Sequence, residues 1–283
     1  TQNKIWGNLI GTNIGGTAEL GNDVGIGILV GAHNNEIGGT SSSKRNLISG
    51  NLDAGVLIQD RETESDQEDH GTTGNLVAGN FIGTNLAGNA AIPNKWGVGI
   101  AFGTYGNIIG GTESGTRNVI SGNTDAGVQI QGISASENRV EGNFIGVNST
   151  GTAAIANYDG VTLLQGASGN VIGGTTTAAR NVISGNTNAG ILIFGQDTDQ
   201  NQVFGNFIGT NGAGTAALGN ANGIDIRFGP QDNKIGGNNT NEGNLISGNN
   251  AVGILLTGSS TKANIIQGNT IGTDSSGTNA LPN

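Results

Sequence analysis

Asp225 and Arg227 stand two positions apart in the segment Gly223-Ile-Asp-Ile-Arg227. Residues two apart on a strand share a face, so the pattern puts a carboxylate beside a guanidinium. Such a pair can move a proton, but its plainer reading is a surface ion pair of small energetic weight. A second concentration of chemistry is the run Arg61-Glu-Thr-Glu-Ser-Asp-Gln-Glu-Asp-His70. There Glu62, Glu64, Asp66, Glu68 and Asp69 offer hard oxygen ligands, which makes calcium the candidate cofactor. The order departs from the Asp-x-Asp-x-Asp-Gly calcium loop, so a solvated acidic loop tip is the competing reading.

The remaining reactive types are sparse. Arg45, Arg117 and Arg180 each precede the same Asn-x-Ile motif, and Gly243 stands at the fourth such place. Recurrence of this kind predicts guanidinium groups that tie down loop carbonyls. His33 and His70 are isolated and the chain has no cysteine, which argues against zinc, disulfide and thiolate chemistry. No Gly-x-Gly string lies between a long strand and a helix, so nucleotide binding has no support. The net charge of −10 and pI of about 4.4 argue against nucleic acid and against anionic membrane surfaces. There is no long apolar run for membrane insertion. The chain does not begin with Met, and the expectation is a processed protein or an excerpt.

The positioning elements come from a repeat. Gly7-Asn-Leu-Ile-Gly-Thr-Asn13 recurs in close copies from Gly79, Gly142, Gly205 and Gly268, at spacings of 72, 63, 63 and 63. The nine-residue surplus coincides with the acidic run. Asn-x-Ile-Ser-Gly-Asn recurs from Asn46, Asn118, Asn181 and Asn244 with the same spacings. A Gly-aliphatic-x-aliphatic string, as in Gly190-Ile-Leu-Ile193, splits each unit into two coils, A and B, of about 33 and 30 residues. Self-similarity at this period is the mark of a solenoid.

Each coil then holds three short strands: Gly190–Ile193, Asn201–Val203 and Asn206–Ile208 are one set. None is long enough to be stable alone, so burial must be shared between coils. Alternation puts Ile191 and Ile193 inside and Leu192 outside. Asparagines open the second strands (from Asn3 to Asn264) and the third strands (from Asn8 to Asn269). A third column is expected at 13, 51, 85, 123, 148, 186, 211 and 249, with Asp274 last. Asparagine serves tight corners, and identical side chains stacked at strand spacing can bond along the column. Coil A adds a loop after its third strand, whose aliphatic (Leu20, Ile92, Ile155, Leu218, Leu281) is expected to dock on the outer wall. Coil B adds a loop before its third strand. The fold expected is therefore one all-β domain over 1–283, a right-handed parallel β-helix of about nine coils, roughly 40 Å long.

These motifs resemble the parallel β-helix repeats of the pectin-lyase-like superfamily, above all the Asn/Gly-rich arrays of large secreted bacterial proteins. The resemblance covers essentially the whole chain. It implies an extracellular or cell-surface location and a relation to polysaccharide or surface glycan. It is specific for fold and weak for function, since the fold hosts lyases, hydrolases, adhesins and structural spikes.

Enzymes of that superfamily place catalytic groups outside one strand stack. The outward first-strand rows read here carry only Asp225 and Arg227 as charged residues, without the paired carboxylates of glycoside hydrolysis. Leu57, Leu164, Leu192, Phe194 and Leu255 on those rows could form a stripe that binds sugar or packs against another chain. The function expected is a structural, adhesive or carbohydrate-associated rod, with a polysaccharide lyase as the alternative. Neither end shows a cap, so the expectation is a longer array or end-to-end self-association. An ice-binding threonine array is weaker, because Thr84, Thr210 and Thr273 recur only every second coil and Val147 interrupts them.

Overall fold

The computed structural model describes residues 1–60 and 71–283. Their strands form three parallel sheets of nine, nine and eight strands. Each strand pairs with its counterpart one coil away: Ala189–Phe194 lies between Asp159–Leu164 and Asn222–Arg227. The chain is a parallel β-helix of about nine coils. First strands are six residues long, second strands two or three, and third strands two.

Alternation builds the interior. In one coil Ile191, Ile193, Val203 and Ile208 are completely buried. Each contributes about 1.5–3 kcal/mol by leaving water. Their equivalents above and below belong to the same core, which runs through the stack. The bend between second and third strands needs glycine. Gly173 has φ of +87°, and a Cβ there would stand 2.0 Å from the Phe204 carbonyl oxygen. Only glycine combines that conformation with such an approach.

Asparagine ladders close the corners. Asn170 Nδ2 donates to Asn201 Oδ1 at 3.1 Å, and Asn201 Nδ2 to Asn233 Oδ1 at 3.1 Å. At the third strands Asn143 bonds Asn181, and Asn181 bonds Asn206. The third ladder differs from the sequence expectation in every coil A. Its members there are Asn22, Asn94, Asn157, Asn220 and Asn283, which alternate with Asn51, Asn123, Asn186 and Asn249. Asn13, Asn85, Asn148, Asn211 and Asp274 instead open the coil A loop. Asn211 Oδ1 accepts the Thr215 amide at 2.9 Å, and Asp274 Oδ1 accepts that of Thr278. The loop is a small hairpin, bridged for example from Thr210 to Ala217. The chain returns to the ladder only at its closing asparagine.

These hairpins stack on one another. Ser149 N donates to Gly88 O at 2.9 Å, Gly212 N to Gly151 O at 2.8 Å, and Ser275 N to Gly214 O at 2.8 Å. They form a fin along the axis. Their aliphatics Ile92 and Ile155 are buried, Leu218 and Leu281 are half-buried, and Leu20 in the first loop is 70% exposed. Leu218 packs against the outward third-strand residues, as expected of a docking side chain. Thr84 and Thr210 are buried, so they offer no threonine array to water.

Candidate functional site

The first-strand sheet presents the widest regular wall, and its outward rows are in register along the axis. Gln129, Thr162, Leu192, Asp225 and Leu255 are successive neighbours in one row. Gln131, Leu164, Phe194 and Arg227 form the next. Of the expected apolar stripe, Leu164, Leu192 and Phe194 are contiguous. Leu255 adjoins Asp225, and Leu57 lies beyond Gly99, apart from the others. Leu192 is buried, Leu57, Leu164 and Leu255 are half-buried, and Phe194 is exposed.

Asp225 is not the solvated partner a surface ion pair requires. Its side chain is 1% exposed, and Oδ2 stands 3.5 Å from Arg227 Nε without a hydrogen bond. Among the described residues its Oδ1 has no hydrogen-bond partner. Burial pushes the Asp225 carboxyl up, and the Arg227 cation opposes that shift. The long flanking residues Leu192 and Leu255 account for the burial, since a row neighbour covers whatever lies between.

A further outward carboxylate, Asp159, shares this wall. A Cβ on Gly160 would meet Ile183 Cγ2 at 2.5 Å, so position 160 faces the interior and its neighbour Asp159 faces out. Asp159 Oδ1 accepts the Ala189 amide at 2.8 Å and Asn188 Nδ2 at 2.9 Å. Burial nevertheless pushes its carboxyl up. The outward rows read from sequence began two residues inside the strand and passed over this position. A lone charge in the otherwise mainly apolar column Val24, Ala54, Trp96, Ala126, Asp159, Ala189 was the signal available.

Where the first strand ends, one corner carries bulky residues in the left-handed region. In coils A, Val30, Phe102, Gln165 and Phe228 have φ of 51°, 36°, 54° and 64°; coils B place Gly132, Gly195 and Gly258 there. A β-branched or aromatic residue in that region costs roughly 1–2 kcal/mol against glycine. Phe228 is 57% exposed and meets Phe194 edge-on, with ring centroids 5.3 Å apart. Arg227 lies 5.8 Å from the Phe194 ring.

The third-strand wall holds the recurring arginines. Nε of Arg45, Arg117 and Arg180 donates to the carbonyls of Gly79, Gly142 and Gly205 at 3.3, 3.1 and 3.2 Å. This is the carbonyl anchoring expected of them. Each guanidinium also lies over the aromatic ring two residues after that glycine, Phe81, Phe144 or Phe207, at 4.2, 4.2 and 4.0 Å. The platform was not foreseen. In the fourth repeat both members are gone: Gly243 replaces the arginine and Thr270 the phenylalanine.

Glu62, Glu64, Asp66, Glu68 and Asp69 lie outside the described residues. Among the described residues, no three His, Asp or Glu side chains are grouped to hold a metal ion, and no helix is long and apolar enough to cross a membrane. Compared with known proteins, the chain matches no family model, no curated protein and no solved structure.

Proposed function

We propose that this chain is a rod of a secreted or cell-surface protein, with a structural and adhesive role exercised through bound carbohydrate. The observation that supports it most is the Phe194–Phe228 corner. A bulky residue is held in an unfavourable backbone region while more than half its surface faces water. Backbone strain and exposed aromatic surface coincide at this corner, and such outliers gather at binding sites. Two exposed rings offer a flat apolar surface to the apolar face of a sugar, with Gln131 and Arg227 nearby for its hydroxyls. The unbroken ladders supply the stiffness an adhesive spacer needs. Kinship with pectin-lyase-like proteins belongs to the same proposal and rests on the three parallel sheets and the ladders. A glycan array probed with the full chain, with calcium and with chelator, tests the reading. Binding that Phe194→Ala abolishes supports it; a blank array in both conditions contradicts it, and calcium dependence would bring in the acidic run.

One observation favours a second reading, a polysaccharide lyase or related enzyme. Asp159 and Asp225 share an outer wall with Arg227, and burial raises both carboxyls. Perturbed acids on one face are the raw material of acid–base catalysis. Incubation with uronate polymers, watched for unsaturated product, separates the two readings.

A further inference from the structure

The hairpin fin and the coil B loops bound a trench along the third-strand wall. Its floor is the outward row that includes Phe81, Val119, Phe144 and Phe207. One stretch of it has a volume of about 770 Å³ and is lined by both Arg45 and Arg117, with Leu86, Ser149 and the acidic Glu113. Arg180 and Phe207 line the next stretch. Among the described residues, none of the three arginines has a carboxylate within ion-pair distance. Among the described residues their hydrogen bonds use Nε alone, which leaves the Nη groups for a ligand. Partial burial of Arg117 and Arg180 makes an absent counter-charge costlier. Three such cations stand in line on a chain of net charge −10.

Their spacing selects the ligand. The arginines recur every second coil, so they stand about 10 Å apart along the axis. A polyproline II strand turns once in three residues and rises about 9.3 Å in doing so. A β-strand returns to one face every two residues, about 6.7 Å, and would drift out of step. Duplex nucleic acid carries one charge per about 1.7 Å, far denser than the track. We infer that this trench binds an extended acidic peptide in polyproline II conformation, with a carboxylate at every third residue, each taken by one arginine fork. The site lies on a different wall from the Phe194–Phe228 corner and does not rest on it. Among the described residues Glu113 is the one carboxylate lining the trench, and it opposes binding.

The test uses the full chain and a fluorescent nonapeptide of three Glu-Pro-Pro triplets, read by anisotropy at low salt and at about 150 mM. A control peptide alternates Glu and Pro. The triplet peptide is expected to bind more tightly than the control, with affinity falling as salt rises. Arg45→Gln, Arg117→Gln and Arg180→Gln should each weaken it about two- to fivefold, the equivalent of an exposed ion pair. Glu113→Gln removes the opposing carboxylate and should tighten the triplet peptide by a similar factor. That gain keeps the test sound if an arginine variant fails to fold. Equal binding of both peptides, unchanged binding in a folded triple-Gln variant, or no gain from Glu113→Gln would overturn the inference. So would a uronate oligosaccharide or a single-stranded oligonucleotide that binds where the triplet peptide does not.

Discussion

Arg117 lies over the ring of Phe144, 4.2 Å from its centroid, while its Nε holds the Gly142 carbonyl at 3.1 Å. One side chain thus clamps the coil B loop to the next coil by a stack and a hydrogen bond. Half-buried cation–π contacts are worth about 1 kcal/mol. A double-mutant cycle with Arg117→Ala and Phe144→Ala, followed by urea denaturation, should give a coupling of about that size. Additive losses would show that ring and guanidinium do not interact.

Asn157 Nδ2 donates to Asn186 Oδ1 at 3.0 Å and to the Ile120 carbonyl at 3.1 Å, fully buried, whereas Asn148 caps an exposed hairpin. Asn157→Ala leaves buried backbone groups unpaired at about 1–3 kcal/mol for each group. Asn148→Ala costs about 1 kcal/mol, the value of a modest loop bond. Urea midpoints should rank the variants in that order, and the reverse order would restore Asn148 to the ladder.

Burial raises the Asp225 carboxyl above its unfolded value, so the folded chain keeps a proton that the unfolded chain has released. Stability from this group is greatest below the unfolded pKa and falls as pH rises through the folded one. Between about pH 4 and pH 7, the range above an ordinary carboxyl, Asp225→Asn should therefore lose less stability than the parent. Urea midpoints at the two pH values measure it, and an equal or greater loss in the variant contradicts the assignment.

Phe228 at φ +64° stores backbone strain at a surface position. Phe228→Gly removes roughly 1–2 kcal/mol of that strain, set against glycine's greater freedom when unfolded of about 0.5–1 kcal/mol. The melting temperature should hold or rise while any glycan binding falls. A large loss of stability would mean that the ring packs instead of serving a ligand.

The fold was largely legible because its signals are periodic. Ile191 and Ile193 sit inside as alternation requires, and Asn170 and Asn201 bond as a column of equal spacing implies. Spacing failed where two columns share one period: Asn148 and Asn157 both recur every 63 residues, and only the hairpin between them decides which meets Asn186. The walls were less legible. Leu192 and Asp225 point outward as read, yet row neighbours bury both, and burial between coils is not written in any one strand. Asp159 escaped because Gly160 turns inward beside Val161, shifting the alternation at the strand's start.

Everything depends on coils stacking in register, with Thr162 opposite Leu192. The chain has no cysteine, so two introduced thiols have only each other. Facing positions on adjacent parallel strands lie about 4.8 Å apart, inside the roughly 4.4–6.8 Å window for a disulfide. Positions 162 and 225 are two coils apart, about 10 Å. Under mild oxidant, Thr162→Cys with Leu192→Cys should close a bond in the folded monomer and Thr162→Cys with Asp225→Cys should not. A bond in the second pair and none in the first would contradict the stacked helix.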